Sequence, residues 1–214
     1  MSRAEQIHRP GNNQQILPRR RGERTTPRTI WVAILVLSVA FLAFPGAEFQ
    51  ADAPTEYEVE AAYLYHLGMF VRWPAAAAPG SNSSFTICVI GMDPFGRALD
   101  TTVAGEMIGA QSVIARRVGN AQEALGCRIL FVSASEQGVL KEVLATVGQA
   151  SVLTVSDISD FVERGGIIQF LVENRRVRFA INLAAAERAR LGLSSQLLKL
   201  AVRVKVLSST ETAR

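Results

Sequence analysis

Four short apolar runs, 85–90 (FTICVI), 112–118 (SVIARRV), 127–133 (CRILFVS) and 151–155 (SVLTV), are spaced along the chain with helix-forming segments between them. Runs of that length, rich in Val, Ile and Phe, suit strands better than helices. Strands alternating with helices lead to a layered α/β domain with a largely parallel sheet. The helical segments are also legible. Thr55 and Glu58 stand at capping-box spacing, where a hydroxyl accepts from a first-turn amide and a carboxylate reaches back. Behind them Val59, Ala62, Tyr63, His66, Leu67 and Phe70 recur at steps of three and four, which predicts an amphipathic helix closed by Pro74. A short helix is expected over 97–102. Ser135 is placed to cap a helix whose inner face is Val139, Leu140, Val143, Leu144 and Val147, and residues 157–164 read as another short helix. Gly165 and Gly166 break the chain. Residues 167–172 and 177–182 then flank Glu173-Asn174-Arg175-Arg176 as an antiparallel hairpin at the sheet edge. Helices over 184–190 and 194–206, divided by Gly192, close the domain.

A different kind of segment stands ahead of this body. Residues 30–44 (IWVAILVLSVAFLAF) form an apolar run preceded by arginines. A membrane span needs roughly 20 apolar residues, so the run better fits the core of an export signal. An uncleaved inner-membrane anchor is the alternative, because no clean small-x-small cleavage site follows. The expected organisation is a leader over 1–53, one domain over 54–206 and a disordered tail over 207–214. Charge follows the same division. Before Glu48 there are seven arginines against two glutamates; of 23 basic and 19 acidic side chains, the rest of the chain keeps 16 and 17. The net charge of +4 therefore belongs to the leader. A near-neutral body speaks against a nucleic-acid partner, which requires a basic face on the domain itself.

Catalytic and metal chemistry find little support. His66 is the only histidine of the body, and it stands alone, without Cys or His neighbours at ligand spacing. It reads as a packed or boundary histidine rather than a metal ligand. Ser135 reads as a helix cap rather than a nucleophile, since no G-x-S-x-G elbow surrounds it. Asp157 and Asp160 read as first-turn charges rather than an acid–base pair. The loop GMDPFG at 91–96 follows a strand and precedes a helix, but lacks the glycine spacing of a phosphate cradle. Cys88 and Cys127 are the only two cysteines. If their strands are neighbours a bridge between them is within reach; the alternative is two buried thiols.

Five stretches taken together, VEAAYLYHLGMFVRWP, ICVIGMDPFG, CRILFVSASE, SVLTVSDISDFVERGGIIQFLVENRRVRFAIN and LGLSSQLLKLA, resemble the YfiR-like proteins, which are exported and bacterial. They run in the same order from about residue 57 to residue 204. The resemblance implies a layered α/β fold that forms a homodimer in the periplasm. It implies a regulator without catalytic residues, metal or cofactor. Such a regulator binds the periplasmic sensor portion of an inner-membrane diguanylate cyclase and restrains cyclic di-GMP synthesis, and with it biofilm growth. A disulfide of the family matches Cys88 and Cys127; a second pair found in some members is absent here. No partner face carries over by motif. The residues themselves nominate Tyr65 and Met69 on the first helix, and Arg175 and Arg176 at the hairpin tip beside Glu173. Arg178 and Asn182 are candidates for a small-ligand pocket. The alternative function is a periplasmic small-molecule sensor with no cyclase partner. An enzyme would need a base or ligand set that the sequence does not contain.

Overall fold

A computed structural model describes residues 53–74 and 84–206. The leader with its apolar run at 30–44, the Ala-, Pro- and Ser-rich loop at 75–83 and the tail at 207–214 lie outside the described residues. Helix α1 (Glu56–Phe70) starts on the capping box: the Glu58 amide donates to Thr55 Oγ1, and the Thr55 amide donates 2.7 Å to the Glu58 carboxylate. It runs into a two-residue strand, β1 (Val71–Arg72). There follow β2 (Phe85–Ile90), α2 (Arg97–Val103), β3 (Met107–Ile108), β4 (Gln111–Val118), β5 (Ile129–Val132), α3 (Leu140–Val147) and β6 (Leu153–Ser156). The hairpin strands are β7 (Ile168–Glu173) and β8 (Arg176–Asn182). Then come α4 (Leu183–Arg188), β9 (Gly192–Leu193), α5 (Ser195–Leu200) and β10 (Arg203–Lys205).

Among the described residues one eight-stranded sheet has the order β10-β8-β7-β6-β5-β2-β4-β3. The pairs from β4 through β2, β5 and β6 to β7 are parallel, while β7–β8 and β3–β4 are antiparallel. The expected α/β class with a largely parallel sheet is therefore present. Along β2 and β5 the side chains alternate between two cores. Phe85, Ile87, Val89, Ile129 and Phe131 face α1, α2 and α5, whereas Cys88, Ile90, Leu130 and Val132 face α3. Both faces of the sheet are covered, which is why these runs read as almost wholly apolar.

Four local expectations are corrected. The hairpin is not the sheet edge, because residues 203–205 pair with Ala180, Ile181 and Asn182 as a parallel outer strand. The closing helix therefore stops at Leu200, where Ala201 turns extended and the Val202 amide donates to the Phe179 carbonyl. Leaving the outer backbone of β8 open would have cost more than shortening a helix. Residues 157–164 form turns rather than a helix. Asp160 sits at φ 59°, which ends any right-handed helix, while Ile158 and Phe161 are drawn into the core beside α3. Ser135 does not cap α3; Ser133 caps the short 3-10 turn Ala134–Glu136, and Ser135 Oγ accepts from the Met92 amide at 2.8 Å.

The fourth correction concerns α1. Its buried residues are Glu60, Ala61, Leu64, Leu67 and Gly68, a face turned away from the predicted one, and His66 is exposed. The helix is apolar on most of its circumference, so periodicity alone could not fix its rotation. Gly68 does: a Cβ there would collide with the Ile108 side chain and stand 3.0 Å from the Phe85 ring. A side chain there would force the end of Ile108 and the Phe85 ring to shift, so glycine favours this close approach of α1 to β2.

Candidate functional site

In open α/β sheets ligands usually bind outside the carboxyl ends of the strands, where the strand order reverses. Here that place is the end of β2, which has β4 on one side and β5 on the other. It is closed by the chain's own groups. Gly91 (φ +87°) lies so close to Ser135 Oγ and Glu136 that a Cβ has no room. The loop 91–96 is held by Arg117, which pairs with Asp93 at 2.7 Å and Asp100 at 2.5 Å and donates to the Gly96 carbonyl. This loop is a structural turn.

Two places beside α1 gather polar groups. The first lies between α1 and the hairpin. Asn174 and Arg175 both have positive φ (51° and 59°), so the two-residue turn between Glu173 and Arg176 matches the strand twist. Tyr63 packs 5.9 Å from both Phe170 and Phe179, which seats α1 on the hairpin. A groove of about 660 Å³ remains between them, with Val59, Tyr63, Val172 and Val177 as its apolar part, Arg175, Arg176 and Arg178 along its rim and Glu56 as its one carboxylate. None of these arginines has a carboxylate partner among the described residues. Three guanidinium groups against the single carboxylate of Glu56, beside an apolar floor, favour an anionic partner with some apolar surface.

The second place is a pocket of about 190 Å³ beside the first turns of α1, lined by Glu56, Glu60, Asp157, Ser159 and the segment Gln169, Phe170, Leu171 and Val172. Glu60 is only 1% exposed, and its Oε2 has no hydrogen-bond partner. Burial, then the nearby charges of Asp157 and Glu56, push its carboxyl up to about 8. Burial also raises Asp157, offset by its own backbone and by the Tyr57 hydroxyl, which donates at 3.4 Å. Asp157 follows the carboxyl end of β6, and its Oδ1 is likewise buried without a partner.

The residues nominated from sequence separate into four settings. Arg175, Arg176 and Arg178 meet at the groove. Tyr65 and Met69 lie farther along α1: the Tyr65 hydroxyl donates 2.7 Å to Glu106, and this bond holds its own proton more tightly. Met69 is half-exposed. Asn182 stands apart from the groove and is buried. Its Nδ2 donates to the Val162 carbonyl at 2.7 Å and its Oδ1 accepts from the Ala185 amide, so its amide caps α4 and pins the turn before β7. Cys88 and Cys127 form a disulfide with Cα atoms 6.0 Å apart, on the α3 side of the sheet. Glu60 was missed because a glutamate in a helix is ordinarily assigned to the solvent side. Its one sequence signal is its place next to Ala61, at the head of the largely apolar stretch 61–65.

With this geometry in view, comparison with known proteins gives three findings. The sequence profile of the YfiR/HmsC-like family matches residues 57–202. Among solved structures, a conserved domain protein from Vibrio cholerae O1 biovar eltor is similar at TM-score 0.51 and 12% identity. That likeness covers 71% of this chain and 60% of the other. The ABC domain from Streptococcus pneumonia in complex with L-Trp is more distant, at TM-score 0.42, 11% identity, and 56% and 54% coverage. At these identities the likeness speaks to fold alone, and the second carries no weight. No curated protein matches the chain.

Proposed function

The chain belongs to the YfiR/HmsC-like family, and on that premise we propose that it is a periplasmic negative regulator of an inner-membrane diguanylate cyclase. In this role it binds the cyclase's extracytoplasmic portion and holds cyclic di-GMP synthesis down. The observation that carries the proposal is the family match, which spans the described domain from the second residue of α1 to just before β10. The buried disulfide accords with an oxidising compartment. No described helix is long and apolar enough to cross a membrane, so within these residues the chain meets a membrane-bound partner through its surface.

For the contact face, the groove between α1 and the hairpin is the best candidate. Unpaired arginines beside exposed apolar surface are the chemistry of interface anchors. Met69 and Tyr65 extend the same helix beyond it, and a homodimer would present two such faces. The groove is also large enough for a drug-sized molecule, which keeps a small-molecule sensor as the second reading.

The test is a triple charge reversal, Arg175→Glu, Arg176→Glu and Arg178→Glu. All three side chains are exposed, so the variant is expected to fold with its melting temperature within about 2 °C of the parent. In a pull-down from native membranes it is expected to recover at least tenfold less diguanylate cyclase. Undiminished recovery would move the contact face elsewhere on the domain. Failure of the parent itself to recover a cyclase, with a small anionic ligand raising its melting temperature instead, would favour the sensor.

A further inference from the structure

The pocket beside the first turns of α1 shares Glu56 and Val172 with the groove but none of its arginines, and it contains groups that ask for a ligand. Two carboxylate oxygens, Glu60 Oε2 and Asp157 Oδ1, are buried without a partner, and both residues line the same small cavity. Buried polar atoms in native proteins are satisfied in the great majority of cases, and each exception calls for an explanation. A third carboxylate, Glu56, completes the acidic side, with the Tyr57 hydroxyl on the far oxygen of Asp157. From β7 the pocket is bordered by Phe170, whose side chain faces α1.

These features select among cations. No group of three or more Asp, Glu, His or Cys among the described residues is arranged to hold a metal ion. An ammonium group differs from a metal ion in carrying directed N–H donors, three when it sits on one carbon stem. Two buried carboxylate oxygens can each accept one of these donors, without the six or more oxygen ligands that a calcium or magnesium ion requires. We propose that this pocket binds the ammonium end of a small primary amine, held by Glu60 and Asp157 with Glu56 at the rim and the carbon stem beside Phe170.

Proton balance follows from the geometry. In the free pocket Glu60, facing Asp157 and Glu56, keeps its proton at neutral pH, since its carboxyl titrates at about 8. The amine arrives as R–NH3+. An N–H···O⁻ bond to Glu60 needs the ionised carboxylate, so the Glu60 proton leaves to solvent and no covalent bond changes. Binding therefore releases a proton at pH 7 and strengthens as pH rises toward 8.5, while the amine remains charged.

Ethylammonium chloride is the probe, with tetraethylammonium, sodium and magnesium chlorides as controls at matched ionic strength. Thermal unfolding of the whole exported domain is followed at pH 7.0 and 8.0, with calorimetry in two buffers of different ionisation enthalpy to count protons. At ten times its dissociation constant ethylammonium is expected to raise the melting temperature by about 3–6 °C. The controls should not, and calorimetry should count close to one proton released at pH 7.0. The variants Glu60→Gln and Asp157→Asn are both expected to stay folded and to lose the ethylammonium shift. Three results would each overturn the proposal: no shift up to 100 mM ethylammonium (~100-fold above a millimolar constant), an equal shift with any control, or a full shift in Glu60→Gln. Cyclase capture is read separately, through Arg175, Arg176 and Arg178, none of which lines this pocket.

Discussion

Removing the Cys88–Cys127 bridge is expected to lower the stability of the domain by about 3–4 kcal/mol and its melting temperature by about 6–16 °C. The two cysteines are 39 positions apart in sequence, so the bridge closes a long loop in the unfolded chain and denies it much conformational freedom. That loop contains α2, β3 and β4, and the bridge ties it back between β2 and the start of β5. The native state contributes as well. Cys88 is fully buried and Cys127 nearly so, among Ile90, Leu130, Val132, Leu140 and Val143. Replacing both by alanine therefore also thins the packing against α3, whereas reduction leaves the volume filled. Denaturation of the double alanine variant, and of the parent with and without reductant, separates the two contributions. Matching unfolding midpoints for parent and variant would show that the bridge constrains nothing the sheet has not already fixed.

Glu60 is expected to give the domain an unusual dependence on pH. Its carboxyl ordinarily titrates near 4.5, and burial raises it to about 8 in the folded chain. Below pH 4.5 both folded and unfolded chains hold the proton, and the burial of Glu60 is cheapest. As pH rises past 4.5 the unfolded chain releases the proton while the folded chain keeps it, so the unfolded state gains. The loss accumulates to on the order of 4 kcal/mol by about pH 8 and then levels off. Asp157, also raised by burial, acts in the same direction. Glu60→Gln keeps the shape and removes the charge. It is expected to flatten the slope between about pH 5 and 8 and to stabilise the domain at pH 8 by about 2–4 kcal/mol. Urea unfolding of both proteins at half-unit steps of pH measures this; parallel stability curves for the two would mean that Glu60 finds a partner in solution.

The strands were legible because their residues are buried on both faces. FTICVI and the core of CRILFVS leave no other reading, and once they lie side by side the two cysteines come within bonding reach. The antiparallel hairpin was legible from its polar tip between two apolar runs. Three features were hidden for physical reasons. Residues 203–205 form a strand only because β8 offers an open edge, a tertiary fact with no local signature. The rotation of α1 depends on the contact of Gly68 with Ile108 and Phe85, and so the burial of Glu60 was hidden with it. Arg175, Arg176 and Arg178 were visible as charges. That they border the apolar surface of Val59 and Tyr63 depends on Tyr63 docking against Phe170 and Phe179. Asn182 illustrates the opposite case: a polar residue beside a glycine pair suggested a pocket, and the fold uses both ends of its amide internally.

The most direct measurement of the central claim is cellular cyclic di-GMP in three strains: the parent, one lacking this chain, and one lacking it but supplied with the exported protein in trans. Loss of the chain is expected to raise cyclic di-GMP several-fold, and supply in trans to restore the parental level. Supply of the Arg175→Glu, Arg176→Glu, Arg178→Glu variant is expected to fail. Unchanged cyclic di-GMP on loss of the chain would contradict a role in restraining a diguanylate cyclase.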